Sequence, residues 1–300
     1  MAFFETLGSS HKGAYPFRLA APSYIYPADW CTNVDLLGPY VDEIELLLLE
    51  SHSESCFPTQ KEMDQLLALG KTHSLTFNIH LPSDISLSDP MTSRRKEAVE
   101  TLKRVIKLTS PLTPSTWTLH LPFDRKTTLP EAIAEWQDCN REGVSALLDV
   151  TGISADHLSI ETLFYPFDWI GDVVRGLNLS VCLDTGHLMV KGGDVRRLYA
   201  EYADIISILH VHGVCRHNVS EHGVYQHGGS DPDECRLIDH QSLDRVSPER
   251  AEAILALLRQ FKGVVSLEVF SFRKLSASLG WLSDQWQPPP RTRVVNFRLK

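Results

Sequence analysis

Leu75-Thr-Phe-Asn-Ile-His-Leu-Pro82 and Thr116-Trp-Thr-Leu-His-Leu-Pro122 are short, mostly apolar runs that end alike, on His-Leu-Pro. Six more runs of strand length accompany them: Phe17–Ala21, Ile44–Leu49, Leu158–Ile160, Leu179–Leu183, Ile205–Val211 and Val264–Val269. Several are near-continuously apolar, as expected for parallel strands covered on both faces. Helical segments lie between them. Thr59-Gln-Lys-Glu62 is a capping box, with Gly70 as the expected stop. Lys96–Leu108 carries Val99, Leu102, Val105 and Ile106 at helical spacing, and Thr128-Leu-Pro-Glu131 opens the next helix. Asp168–Leu177, Asp194–Tyr202, Glu249–Phe261 (ended by Gly263) and Leu275–Trp286 follow. Eight strand–helix alternations predict an α/β fold, a closed (β/α)8 TIM barrel. An open doubly wound sheet is the alternative, but Ala20-Ala-Pro-Ser-Tyr-Ile-Tyr26 after the first strand lacks the glycines of a phosphate-binding turn. We read residues 15–286 as one barrel domain, 1–14 as an N-terminal extension and 287–300 as a C-terminal one, with Val294–Leu299 as an added edge strand.

Composition narrows the function. The chain has 300 residues, 43% apolar and 22% charged, an ordinary globular mix. Its 29 Lys and Arg against 38 Asp and Glu give a net charge of −9, which disfavours backbone-driven nucleic-acid binding. No apolar run is long enough for a membrane span, and no leader is recognisable, so the cytoplasm is the expected location. The six cysteines are widely spaced, without a Cys-x-x-Cys pair, and read as free thiols. The thirteen histidines are the unusual feature.

In a barrel of this kind the chemistry lies at the C-terminal ends of the strands. Strand three ends at His80, strand four at His120, strand five at Glu161, strand six at Asp184, strand seven at His212 and strand eight at Glu268. A single histidine at such a place is ordinarily a packed residue. Six consecutive strands delivering an imidazole or a carboxylate at one level point to bound metal. Zinc and manganese take these ligands, and bridging carboxylates offset the repulsion between close ions. His187, Asp239 and His240 are further candidate ligands. His210, two residues before His212 on the same face, could be a ligand, an outer donor or a core residue, and the last two readings are favoured. His217, His222 and His227 lie in a long polar loop between residues 215 and 238 and read as solvated. His11, His52, His73 and His157 read as surface residues.

These ligands resemble those of the xylose-isomerase-like barrel superfamily, which includes sugar isomerases, epimerases and endonuclease IV. The resemblance implies one ion on His80, His120 and Glu161, and a second on Glu161, Asp184, His212 and Glu268. It implies a third on His187 and an Asp-x-His pair. Here Asp239 and His240 are adjacent instead, and Cys215 stands where the pattern has another Asp. A narrower resemblance lies in Ser23-Tyr-Ile-Tyr-Pro-Ala-Asp29, Val41-Asp-Glu-Ile-Glu-Leu-Leu-Leu-Leu-Glu50, Glu161-Thr-Leu-Phe-Tyr-Pro-Phe167, Cys182-Leu-Asp-Thr-Gly-His-Leu188 and Asp239-His-Gln-Ser-Leu243. These look like the cobamide-remodelling phosphodiesterases. That family hydrolyses the nucleotide-loop phosphodiester of coenzyme B12 to a cobinamide phosphate and α-ribazole. The implied cofactors are two or three divalent ions, zinc or manganese, and the implied partner is a small-molecule corrinoid. Glu161, Asp184 and Glu268 are the expected catalytic carboxylates. Tyr24, Tyr26, Tyr165 and His210 are the expected substrate contacts, with Phe164 and Phe167 beside them. A one-metal sugar isomerase or epimerase and a non-hydrolytic corrinoid-binding protein are the alternatives.

Overall fold

A computed structural model describes residues 4–216 and 237–286. Parallel strands β1 (Arg18–Pro22), β2 (Glu43–Leu47), β3 (Thr76–His80), β4 (Trp117–Leu119), β5 (Leu158–Glu161), β6 (Ser180–Asp184) and β7 (Ile206–Val211) follow one another around a barrel. An antiparallel pair, β8 (Gly213–Arg216) and β9 (Leu237–Gln241), then leaves it. Strand β10 (Val264–Leu267) closes the barrel between β7 and β1. Helices α1 (Trp30–Leu37), α2 (Gln60–His73), α3 (Thr92–Thr109), α4 (Pro130–Thr151), α5 (Asp168–Gly176), α6 (Thr185–Val190), α7 (Val195–Tyr202), α8 (Pro248–Leu258) and α9 (Phe272–Gln285) complete the chain. All eight predicted strands are present. The fold is the predicted TIM barrel. Among the described residues, no helix is long and apolar enough to cross a membrane. Val294–Leu299 and His217, His222 and His227 lie outside the described residues.

Strand parity separates two interiors. Leu19, Leu183, Leu209 and Val265 belong to the main apolar core, with Val99, Leu102, Val105 and Ile106 of α3. Each such fully buried side chain contributes about 1.5–3 kcal/mol. The alternate residues Ala20, Cys182, Ile208 and Val264 form a small separate apolar cluster. Two residues further along the same faces stand Asp184, His210 and Ser266, all fully buried. Along β6, β7 and β10 the barrel interior is therefore apolar below and polar towards the strands' C-terminal ends.

Some local readings change. The capping box forms, with Glu62 Oε2 accepting the Thr59 N–H at 2.7 Å. Yet α2 runs past Gly70 to His73 and ends at Ser74, in the left-handed region at φ 52°. Gly70 is not a stop but a close approach: a Cβ there would lie 2.8 Å from the Phe77 ring. His11 is buried rather than on the surface, its N–H donating to the Tyr40 carbonyl at 2.9 Å. Helix α1, α6 and the β8–β9 pair were not foreseen. Asp239 and His240 thus sit on a strand, not in an open loop.

Candidate metal centre

Glu161 ends β5 and is 1% exposed. Its Oε2 lies 3.2 Å from His80 Nε2 and 2.9 Å from His120 Nε2, and its Oε1 lies 3.3 Å from His187 Nδ1. One carboxylate thus faces three histidines from three different strand ends. His80 Nδ1 lies 2.8 Å from the Leu81 carbonyl, an oxygen that only accepts, so Nδ1 carries the hydrogen. A neutral His80 then turns a lone pair on Nε2 towards a carboxylate. That contact is repulsive unless a proton or a cation lies between them, which is the arrangement a metal ion resolves.

Asp184 ends β6 and caps α6, its Oδ1 accepting the His187 N–H at 2.7 Å. This turn brings the His187 ring back over the barrel. Gly186 supplies room rather than a bend: a Cβ there would lie 1.9 Å from His212 Cε1. His212 Nε2 is 3.2 Å from Asp184 Oδ2.

Strand β7 carries His210, and His212 follows its last residue, one level further along. His210 is fully buried, with Nδ1 3.4 Å from Glu268 Oε2 and 3.7 Å from Glu161 Oε2. Its Nε2 lies 2.9 Å from Glu45 Oε1, and Glu45 Oε2 accepts from Ser266 Oγ at 2.5 Å. Sequence reasoning gave the central position to His212. In the structure one ligand atom each of Glu161, Asp184, His210 and Glu268 lies within 4.8 Å of the others, whereas His212 groups with His187 and His240. His80, His120 and Glu161 make a third such group.

His240 reaches the site from β9. Its backbone is left-handed at φ 47°, uncommon for a non-glycine residue. Its N–H donates to His212 Nδ1 at 2.8 Å, and its own Nδ1 lies 3.0 Å from the Glu268 carbonyl. Asp239 joins no candidate ligand group among the described residues.

Electrostatics support a cation. Among the described residues, no Lys or Arg forms an ion pair with Glu161, Asp184 or Glu268; their partners are histidines. Burial alone would raise the Glu161 carboxyl, but His120 and His210 outweigh it and hold it well below the usual range. Asp184 and Glu268 are likewise held down against burial, by His187 and His212 and by His210 and His240 respectively. The histidines move the opposite way. Burial pulls His187 down, yet Asp184 and Glu161 push it up to about 10. Without metal, protons on imidazoles balance the buried carboxylates. Glu45 Oε1, His210 Nδ1 and Nε2, and Glu268 Oε2 are buried without a well-formed hydrogen bond. Such atoms are costly to leave unpaired, and a divalent ion would satisfy them.

Glu45 was missed because it lies inside an apolar run. Its neighbour Glu43 shows the contrast, accepting from Thr76 Oγ1, Asn78 Nδ2 and Ser115 Oγ at 2.5–3.0 Å. The expected substrate contacts separate. Tyr24 is 63% exposed. Tyr26 is buried, its hydroxyl donating to the Glu5 carbonyl at 2.7 Å, and Phe167 is buried against Tyr202. Tyr165 packs among Phe123, Trp136 and Trp169, with its buried hydroxyl unpaired. Burial, then Glu161, pushes that hydroxyl above the usual tyrosine range. Phe164 is exposed 4.5 Å from the His187 ring, and Phe270, which sequence reasoning did not single out, lies 4.8 Å from His240.

Known proteins agree with this architecture. A D-tagatose 3-epimerase-like protein superposes with a TM-score of 0.66 at 16% identity, covering 89% of this chain and 96% of its own. Endonuclease IV from Thermus thermophilus gives 0.63 at 15% identity, covering 89% and 99%. The IOLI protein, whose structure holds a zinc atom, gives 0.61 at 15%, covering 90% and 95%. No curated protein matches the sequence. At these identities the superpositions establish the fold. The family model described as the xylose isomerase-like TIM barrel matches residues 40–285, and the chain belongs to that family.

Proposed function

We propose that this protein is a metal-dependent phosphodiesterase that cleaves the nucleotide loop of cobamides, releasing a cobinamide phosphate and α-ribazole. The observation that carries a multi-ion hydrolase is Glu161, whose two oxygens face different groups of histidines. His80 and His120 with Glu161 would hold one ion. Glu161, Asp184, His210 and Glu268 would hold a second. Bound divalent ions lower the pKa of a coordinated water and offset phosphate charge. The remaining work falls to the chain. Asp184 and Glu268, held ionised at neutral pH, can orient the attacking water and accept its proton. Glu45 Oε1 lies 2.9 Å from His210 Nε2, and His210 Nδ1 faces Glu161 and Glu268 as the nitrogen on the metal side. The cobamide assignment rests on the sequence segments quoted above, and on exposed Tyr24, Phe164 and Phe270, which offer faces for a flat ring.

A one-ion epimerase is the second reading. The group Glu161, Asp184, His210 and Glu268 alone would suffice for it. Incubation of zinc- or manganese-loaded protein with coenzyme B12, and separately with ketoses, decides between them. Chromatographic appearance of a cobinamide phosphate supports the hydrolase. Ketose turnover with intact cobamide supports the epimerase.

A further inference from the structure

A further group of candidate ligands stands apart from the barrel centre. One ligand atom each of Glu50, His52 and Cys56 lies within 4.8 Å of the others, and none of the three joins another such group among the described residues. They share the loop between β2 and α2, in Glu50-Ser-His-Ser-Glu-Ser-Cys56. Ser53 caps a single 3-10 turn over Glu54–Cys56, its Oγ accepting the Ser55 N–H at 3.3 Å. The Cys56 N–H closes that turn on the Ser53 carbonyl at 3.0 Å. The turn brings the Cys56 thiol back beside His52, four residues earlier. Sγ lies 4.0 Å from His52 Nδ1, and the same Nδ1 lies 3.5 Å from Glu50 Oε2. Around a tetrahedral zinc, with bonds of about 2.3 Å to sulfur and about 2.0–2.1 Å to nitrogen and oxygen, such pairs stand roughly 3.4–3.6 Å apart. Both distances need shorten only slightly for one ion to join the three donors.

The loop is held from both sides. The Leu49 carbonyl accepts from the Ser83 N–H at 3.0 Å and from Ser83 Oγ at 3.1 Å, and the Ser51 N–H donates to Asp84 Oδ2 at 2.9 Å. Arg104 of α3 pairs with Glu54 and lies 5.2 Å over the Phe57 ring. Glu54 is thus engaged elsewhere, and Glu50 is the carboxylate that faces His52. Pinning of this kind lowers the cost of ordering a site around its ligand. Charge balances as well: a thiolate and a carboxylate offset a divalent ion, and a neutral imidazole adds nothing. The Glu50 and His52 side chains are 66% and 67% exposed, so an ion can enter from solvent and keep water in a fourth position. Cys56 is a free thiol. Sulfur among the ligands selects zinc-like ions over magnesium or calcium. We propose that Glu50, His52 and Cys56 form a surface site for one zinc-class ion, separate from the barrel centre, that staples the loop after β2. This site would bind its ion whatever reaction the centre carries out.

The test loads full-length protein with cobalt, removes free metal and counts ions per chain. Cobalt takes tetrahedral zinc sites and reports a sulfur ligand by a thiolate-to-cobalt absorption band. Wild type should show the band. Cys56→Ala should lose it together with one ion per chain, and retain the ions of the centre. His52→Ala should lose the same ion although Cys56 remains. Should Cys56→Ala melt early, Cys56→Ser, closer in bulk and equally without a thiolate, is read in the same way. No band in wild type overturns the site. So does a band undiminished in Cys56→Ala, which would place the sulfur elsewhere, as at Cys182 beside Glu161 and His210. An ion retained by His52→Ala overturns the three-ligand arrangement. If wild type holds a single ion and Cys56→Ala none, this site stands and the metal centre of the barrel falls.

Discussion

The floor and the rim of the barrel mouth handle charge in opposite ways. On the floor, Glu45, Glu161, Asp184 and Glu268 are buried, and among the described residues their ion-pair partners are imidazoles. At the rim, His187, His212 and His240 come together without a carboxylate among them, under exposed aromatic rings. The difference teaches that the same ligand type can serve two ends. Acid-rich surroundings hold ions and dampen their charge. An imidazole-only group carries no compensating negative charge. Substitutions on each side should therefore affect the two regions unequally.

The largest effect is expected at Glu161, the floor carboxylate that also lies 3.3 Å from His187 Nδ1 at the rim. Glu161→Gln keeps the shape but removes the charge facing His80, His120 and His187, and turnover should fall by more than about 100-fold, beyond what loss of an outer partner of a metal ligand costs. Loss of ions from the floor should accompany it, read by metal analysis. Glu45→Gln tests the floor alone. It touches His210 but not the rim histidines, and should weaken floor ions by about 10–100-fold. Equal weakening at floor and rim would argue that the two regions act as one.

Gly186→Ala tests the rim through packing. The added Cβ would lie 1.9 Å from the His212 ring, so the ring must move. Urea unfolding should show a loss of about 1–3 kcal/mol. The smallest effect is a pH trend in metal-free protein. His187 stands at about 10 against an ordinary 6.5, so its contribution to stability is whole below 6.5 and is lost as pH rises through about 10. Glu161 and Glu268 are held below their ordinary 4.5, so theirs is present above that value and lost as pH falls. Metal-free protein should therefore melt progressively lower from pH 7 to 10, and zinc should flatten that slope by replacing the proton.

Much of this was legible in the chain. Apolar runs with period-two faces located all eight barrel strands, and their last residues named most of the centre. What escaped depends on depth and distance. Parity puts His210 and His212 on one face, but only closure of the barrel sets which level meets Glu161 and Glu268. Glu45 sits in an apolar run, so its pairing across the barrel with His210 leaves no local trace. His240 needed its left-handed backbone and the pairing of β8 with β9, neither of which a polar loop sequence announces. Gly70 and Gly186 look like turn residues in sequence, and both proved to be places where a ring approaches the backbone. Tyr26 looks like a mouth residue, yet its hydroxyl is taken by Glu5.

The central claim is that metal ions gathered by these strand ends serve phosphodiester hydrolysis. Chromatography of zinc- or manganese-loaded protein after incubation with coenzyme B12 tests it most directly. The account predicts a cobinamide phosphate and α-ribazole in equal amounts, absent with Glu161→Gln. Intact coenzyme with wild-type protein carrying its full set of ions would contradict it.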